Sequence, residues 1–261
     1  MIYVCVPCHN EAATVGVLLW KIRRVFEEFP REYHLVVADD GSDDGTSEVL
    51  APYAKVLPLT ILRSETRTGY AASVERLLRH ALEQTDRPKR DAVVLLHADF
   101  THDADTIPEL VRRIESGADF VVAEGTVAGE PERARRWVRR WAPLLVRRAV
   151  AVPEVRDLVS GFVAVRLVSL RNAIKQAGDR LLTTDGWAAN AELIGRVARA
   201  ARRTDAVPTT LRHDLRQRPS RTEPWAAARL LWRTGRALRL PKPTHRPRTD
   251  GGGGPDAREA A

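Results

Sequence analysis

Two cysteines, Cys5 and Cys8, are all that 261 residues contain, so the disulfide framework that staples small secreted domains is excluded. Their C-x-x-C spacing is that of redox and zinc motifs, but no second pair is present to complete a zinc site. Cys5 falls inside an apolar run and Cys8 at its end, and both are expected to be structural. No uninterrupted run approaches the ~18 apolar residues of a membrane-crossing helix. The opening M-I-Y-V-C-V-P-C enters a strand at once, with neither the basic start nor the cleavage site of a secretory leader. A cytoplasmic location follows as an expectation. Lysine is also scarce, at five of 42 basic residues, so the net charge of +8 is almost wholly arginine. No internal repeat is visible.

What is present is ordinary in bulk and uneven in detail. A hydrophobic share of 44% and a charged share of 29% suit a soluble globular chain, long enough for one large α/β domain or two small ones. The arginines gather at Arg133 to Arg148 and again at Arg212 to Arg221. Such charge serves nucleic acid, an anionic membrane surface or phosphorylated ligands. Nucleic acid is disfavoured, because the basic clusters accompany acidic loops and no recognition motif.

Short apolar runs alternate with helical patterns. Strands are expected at Ile2 to Val6, Leu35 to Ala38, Leu59 to Leu62, Val93 to Leu96 and Asp119 to Ala123. Helices are expected between them, over about Ala12 to Phe29, Ser47 to Ala54, Tyr70 to Gln84 and Ala104 to Ser116. This alternation predicts βαβ units and a mostly parallel sheet flanked by helices, with the polar loops converging on one edge. Val159 to Val165 is a returning strand with a tight glycine, Trp187 to Ala201 a helix, and Asp205 to Thr210 a short edge segment. Arg133 to Val150 is a basic helix interrupted at Pro143, with Trp137, Trp141, Leu144 and Leu145 able to share one face. Pro224 to Leu240 is a second basic amphipathic helix. Tryptophan and leucine opposite arginine describe a helix lying in a membrane interface; the alternative is a surface helix packed on the domain by its tryptophans. The expected division is one domain over 1–221, the helix over 222–240, and a disordered tail over 241–261.

The loops after the strands carry the chemistry. V-V-L-L-H-A-D-F-T-H-D ends a buried run on His97, Asp99, His102 and Asp103, which can bind a metal or simply cap the next helix. Ligands of open α/β sheets sit at the carboxyl ends of strands, where these residues fall. Asp40 has a similar ambiguity, since D-D-G-S is also a good turn sequence.

Taken together, V-P-C-H-N-E (Val6 to Glu11), V-V-A-D-D-G-S-D-D-G-T (Val36 to Thr46), Arg63 to Gly69, H-A-D (His97 to Asp99) and S-G-F (Ser160 to Phe162) resemble the family 2 glycosyltransferases. More narrowly, they are similar to the dolichyl- or polyprenyl-phosphate mannose and glucose synthases, over about Ile2 to Arg221. The resemblance implies a GT-A fold and inverting transfer of a hexose from a GDP- or UDP-sugar. It implies that Pro7, Asn10, Glu11, Asp39 or Asp40, Gly69, Ala98 and Asp99 hold the donor. Asp99, with His97 where the subgroup has its first acid, would hold Mg²⁺ or Mn²⁺ against the diphosphate. Thr101 stands where the subgroup commonly has glutamine. Arg135, Ser160, Arg216 and Ser220 would meet the acceptor phosphate, though the arginines near 133–136 are too dense to align uniquely. Asp157, Asp185 and Glu192 are the candidate acids for activating an acceptor. The acceptor is expected to be a polyprenyl phosphate, with peripheral membrane contact. The alternatives are a soluble transferase using a small metabolite and a non-catalytic sugar-nucleotide-binding protein.

Overall fold

The computed structural model describes residues 1–128, 133–146, 149–212 and 223–240, of which 127–128 and 133–136 are described by backbone alone. Seven strands, β1 (Ile2–Cys8), β2 (Tyr33–Asp40), β3 (Leu59–Ser64), β4 (Ala92–Leu95), β5 (Phe120–Ala128), β6 (Val163–Arg166) and β7 (Thr204–Arg212), form one sheet in the order β3-β2-β1-β4-β6-β5-β7. Six of them run the same way, and only β6 is antiparallel to its neighbours β4 and β5. The expected mostly parallel sheet is therefore present, with β6 as the returning strand. Its tight glycine lies in the loop just before β6. Pro208 sits in β7, an edge strand, where a missing backbone donor costs no ladder bond on the open side.

Strand alternation sends successive side chains to opposite faces and builds two cores. Tyr3, Cys5, Val36, Ala38, Val93 and Leu95 face one side, against α3 (Tyr70–Gln84), α5 (Arg133–Val146), α6 (Leu167–Ala177), α7 (Gly186–Ala200) and α8 (Pro224–Ala237). Val4, Val6, Leu35, Val37, Val94 and Leu96 face the other, against α1 (Val15–Glu28), α2 (Thr46–Tyr53) and α4 (Ile107–Glu115). The result is a three-layer α/β/α sandwich.

Three differences from the sequence reading stand out. Helix α6 was not expected, although Leu167, Leu170 and Ala173 are buried at helical spacing and Gly178 ends it with φ +78°. Helix α5 runs through Pro143 to Val146, so that proline does not interrupt it within the described residues. The inward stripe of α5 is also one residue out of phase with the tryptophans: Val138, Ala142 and Val146 are buried, whereas Trp137, Trp141 and Leu144 are exposed. Helix α8 packs on α5 and α7, so closely that a Cβ on Gly235 would lie 2.1 Å from the Leu145 carbonyl oxygen. The tail over 241–261 lies outside the described residues.

Candidate active site

The chain steps from β1 to β2 and β3 on one side, then returns to place β4 on the other side of β1. That reversal opens a crevice at the carboxyl ends of β1 and β4, the general place for a ligand in such sheets. A cleft of about 430 Å³ lies there. Pro7, Cys8, His9 and Glu11 line it from the loop after β1, Asp40 from β2, and His97, Ala98, Asp99, Thr101 and His102 from the loop after β4. Asp185 and Asn190 enter from α7 and its approach, and Arg139, Ala227 and Leu230 from α5 and α8.

Alternation along β2 separates the two adjacent acids. Asp39 shares its face with Val37 and turns towards α2, fully buried, accepting from the Ser42 N–H (3.3 Å) and the Ser47 hydroxyl. Asp40 shares its face with Val36 and Ala38 and reaches the cleft wall. It accepts from the Thr68 N–H (2.7 Å), the Thr68 hydroxyl (2.6 Å) and the Gly69 N–H (2.8 Å). Burial pushes the Asp40 carboxyl up, but these hydrogen bonds outweigh it and hold the group below its ordinary value. Three of its roughly four acceptor positions are thus used in shaping the loop before α3. Gly69, at φ +101°, takes a backbone conformation that a side chain would strain.

Asn10 does not line the cleft. Its backbone φ is +51°, and its amide exchanges two hydrogen bonds with Asp43, to the carboxylate (2.7 Å) and from the N–H (3.0 Å). It ties the first two loops together and so sets the position of Glu11. Glu11 is buried, accepts from the Thr14 hydroxyl (2.9 Å) and faces the cleft.

After β4 the chain makes a strained turn, with Phe100 at φ +57° between Asp99 and Thr101. The turn brings the Thr101 N–H to the Asp99 carboxylate at 3.1 Å. Thr101 Oγ1 is buried and has no hydrogen-bond partner among the described residues. Of the remaining acids in this stretch, Asp103 is a helix cap: it accepts from the Asp105 N–H (3.1 Å) and pairs with Lys21 at 2.6 Å. His97 donates to or accepts from the Tyr70 hydroxyl at 3.0 Å and stacks edge-on against His102, 5.0 Å between ring centres.

The candidate catalytic acids divide. Asp185 lines the cleft and accepts from the Ala71 N–H at the start of α3 (3.0 Å). Asp157 does not line it; its carboxylate pairs with the Arg139 guanidinium, and it is Arg139 that faces the cleft. Glu192 does not line it either. It is fully buried and bound to Arg196, Thr183 and Thr184. The Ser160 hydroxyl is likewise occupied, donating to the Ala123 carbonyl at 2.7 Å, while its neighbours Val159 and Gly161 form the wall. Arg135 belongs to α5 by backbone only, and Arg216 and Ser220 lie outside the described residues. Sequence reasoning missed Tyr70, Asn190 and Arg139; only the last had a signal, as one arginine among many in its cluster. Cys5 and Cys8 are both buried thiols outside any disulfide, and burial raises the Cys5 thiol, as befits structural residues.

A divalent cation can be accommodated. Among the described residues no three His, Cys, Asp or Glu groups are spaced to hold an ion alone. The donors available are the Asp99 carboxylate, the unpartnered Thr101 hydroxyl and the His97 imidazole. That set fits an ion carried mainly by diphosphate oxygens, since Mg²⁺ uses only one or two protein carboxylates in such sites and Mn²⁺ tolerates imidazole.

Known proteins agree with this architecture. The chain is 28% identical over 170 residues to a dolichol-phosphate mannosyltransferase of Pyrococcus furiosus, covering 62% of this chain and 45% of that protein. It is 28% identical over 162 residues to a bactoprenol glucosyl transferase of Shigella phage SfV, covering 62% and 50%. It thus spans about half the length of the curated relatives it matches. Among solved structures it resembles the glucosyl-3-phosphoglycerate synthase of Mycobacterium tuberculosis in complex with Mn²⁺, uridine diphosphate and glucosyl-3-phosphoglycerate. There the TM-score is 0.57 at 20% identity, over 90% of this chain and 77% of that one. It also resembles S. aureus TarS 1-349 in complex with UDP, with a TM-score of 0.54 at 19% identity, over 80% and 60%. These likenesses show the GT-A fold. Residues 3–173 match the family model for glycosyl transferase family 2, and the chain belongs to that family.

Proposed function

We propose that this chain transfers a hexose from a GDP- or UDP-sugar to a polyprenyl phosphate at a membrane surface, in a single inverting displacement. The observation that carries the acceptor is that α5 and α8 do two things at once. They line the cleft through Arg139, Ala227 and Leu230, and on their outer side they expose Trp137, Trp141, Trp225 and Trp232. Trp137 contacts both Trp141 (6.1 Å between ring centres) and Trp225 (5.7 Å), so the two helices share one aromatic surface, flanked by the exposed arginines Arg140, Arg229, Arg233 and Arg236. Indole rings beside arginine suit the headgroup boundary of an anionic bilayer. No helix among the described residues is long and apolar enough to cross a membrane, so contact would be from one side.

In this reading Glu11 and Asp40 bound the nucleoside end of the cleft and Asp99 the diphosphate end. A divalent cation, when bound, neutralises the leaving diphosphate. Arg139, held against Asp157, faces the acceptor phosphate as a pre-oriented cation. The names and activities of the polyprenyl-phosphate relatives, and the Mn²⁺ in the M. tuberculosis synthase, support the same assignment. A phosphate oxygen is already anionic and needs no base, so a lipid phosphate leaves Asp185 without a proton to take.

The test is transfer of labelled hexose from UDP- and GDP-sugars into extractable lipid, using anionic vesicles containing polyprenyl phosphate, with and without EDTA. Lipid-linked product that EDTA abolishes is expected; no product from any donor overturns the proposal. Replacing Trp137, Trp141 and Trp225 together by alanine is expected to weaken vesicle co-sedimentation by at least about tenfold, since each ring would bury apolar area worth a kcal/mol or more. Undiminished sedimentation would remove the membrane surface from the proposal.

A second reading rests on Asp185, the only one of Asp157, Asp185 and Glu192 that lines the cleft. It would serve as general base if the acceptor were a hydroxyl of a small metabolite. Asp185→Asn discriminates: lipid-phosphate transfer should fall by less than about tenfold, whereas a hydroxyl acceptor should lose roughly 10²–10⁴-fold.

A further inference from the structure

A relay of three side chains, with Asn190 buried and Tyr70 and His97 half-buried, ends on His97, and its hydrogens can be placed from the groups at its far end. The Val159 carbonyl can only accept, so the Asn190 amide turns its Nδ2 to it, at 3.0 Å. Asn190 Oδ1 therefore faces Tyr70 and accepts the phenol hydrogen at 2.7 Å. A phenol keeps its hydrogen at neutral pH. Tyr70 has only one hydrogen to give, and it is spent on Asn190. At the 3.0 Å contact with His97 Nε2, the phenol oxygen must then accept, and the imidazole must carry its proton on Nε2.

The ring is confined as well as oriented. A Cβ on Gly161 would lie 2.2 Å from His97 Nε2, so the glycine of S-G-F leaves the space that the ring occupies. His102 closes another side, edge-on at 5.0 Å. In a neutral imidazole with its proton on Nε2, Nδ1 is the basic nitrogen.

We propose that Tyr70 and Asn190 are positioning residues that fix His97 as the Nε2–H tautomer, so that it meets the donor diphosphate and its cation through the Nδ1 lone pair. This rests on the donor-site reading above and deepens it. The first-acid position then retains a metal-directed electron pair without its negative charge. A ligating histidine whose other N–H is held by an outer partner is the usual arrangement at metal sites, and loss of that partner costs about 10–100-fold in affinity.

Two measurements on the full chain test this. Long-range ¹H–¹⁵N spectra of ¹⁵N-histidine protein, with His97 assigned by its disappearance in His97→Gln, report the tautomer directly. The Nε2–H form is expected in the wild type and a mixture in Tyr70→Phe. An Nδ1–H form in the wild type overturns the inference. Mn²⁺ titration followed by electron paramagnetic resonance, with UDP and with GDP present, reports the cation. Tyr70→Phe is expected to weaken Mn²⁺ binding about 10–100-fold. His97→Asn, which places an amide oxygen near the position of Nδ1, should keep more affinity than His97→Gln, whose amide falls near Nε2. Equal affinity in wild type, Tyr70→Phe and His97→Gln overturns the inference, even if hexose transfer proceeds. Failure of transfer alongside an intact tautomer and Mn²⁺ response would instead count against the proposed function alone.

Discussion

Asp99→Asn is expected to lower kcat/KM for hexose transfer by about 10²–10³-fold, or roughly 3–4 kcal/mol of transition-state stabilisation, while leaving the fold intact. The size follows from where the carboxylate stands. It is 3% exposed, at the carboxyl end of β4, in a cleft whose walls keep the local dielectric low. A charge in such a place acts strongly on a diphosphate–cation pair, and asparagine keeps the shape but not the charge. The fold should survive because the Thr101 N–H that Asp99 accepts at 3.1 Å can be met equally by an amide oxygen. The turn itself is held by other bonds, including the Arg212 N–H to the Thr101 carbonyl at 2.9 Å. The check is steady-state kinetics at saturating Mn²⁺, beside a thermal melt. A variant that melts like the wild type and turns over within a factor of three would remove Asp99 from the reaction. His97→Asp, by contrast, is expected to keep or raise metal-dependent activity, because it adds a second carboxylate beside the first.

How far the sequence foretold this site depended on the kind of information each residue carried. The strands over 2–8, 33–40, 92–95 and 120–128 were readable at Ile2 to Val6, Leu35 to Ala38, Val93 to Leu96 and Asp119 to Ala123, because each holds a short apolar run ended by polar residues, and burial on both faces requires that pattern. Helix α6 was not, since its apolar positions follow β6 without a break and no capping side chain marks its start. Within the loops, residue type was readable and direction was not. Asp39 and Asp40 are chemically identical in the sequence, and only the pleat of β2 decides which one reaches the cleft. The same holds for α5: Trp137 and Val138 are adjacent, and which of them packs inward depends on where the helix meets the sheet. Tyr70 and Asn190 stand 120 residues apart and meet His97 only in three dimensions. Their side chains carry no local pattern that could have announced a relay.

Glu192→Ala is expected to destabilise the protein by about 3–5 kcal/mol, the usual cost of removing one partner from a buried ion pair. For a chain of this size that corresponds to a fall in melting temperature of roughly 6–20 °C. Glu192 is fully buried, and its two oxygens accept from the Thr183 N–H (2.8 Å) and hydroxyl (2.9 Å), the Thr184 N–H (3.1 Å) and hydroxyl (3.0 Å), and Arg196 (2.8 and 3.0 Å). Deleting it leaves two backbone donors, two hydroxyls and a mostly buried guanidinium without their acceptor. The consequence reaches the cleft indirectly. Thr183 and Thr184 lead straight into Asp185, so the carboxylate of Glu192 fixes the approach from which Asp185 meets the Ala71 N–H at the start of α3. The expectation is that it holds the wall of the cleft rather than exchanging a proton with an acceptor. Glu192→Gln separates the two roles, since it preserves volume and one acceptor oxygen but abolishes basicity. Measured well below its melting temperature, it should lose stability yet keep kcat within about tenfold, the minimum contribution of a general base being on the order of 10². A kcat loss beyond 10²-fold with an unchanged melt would return Glu192 to the chemistry.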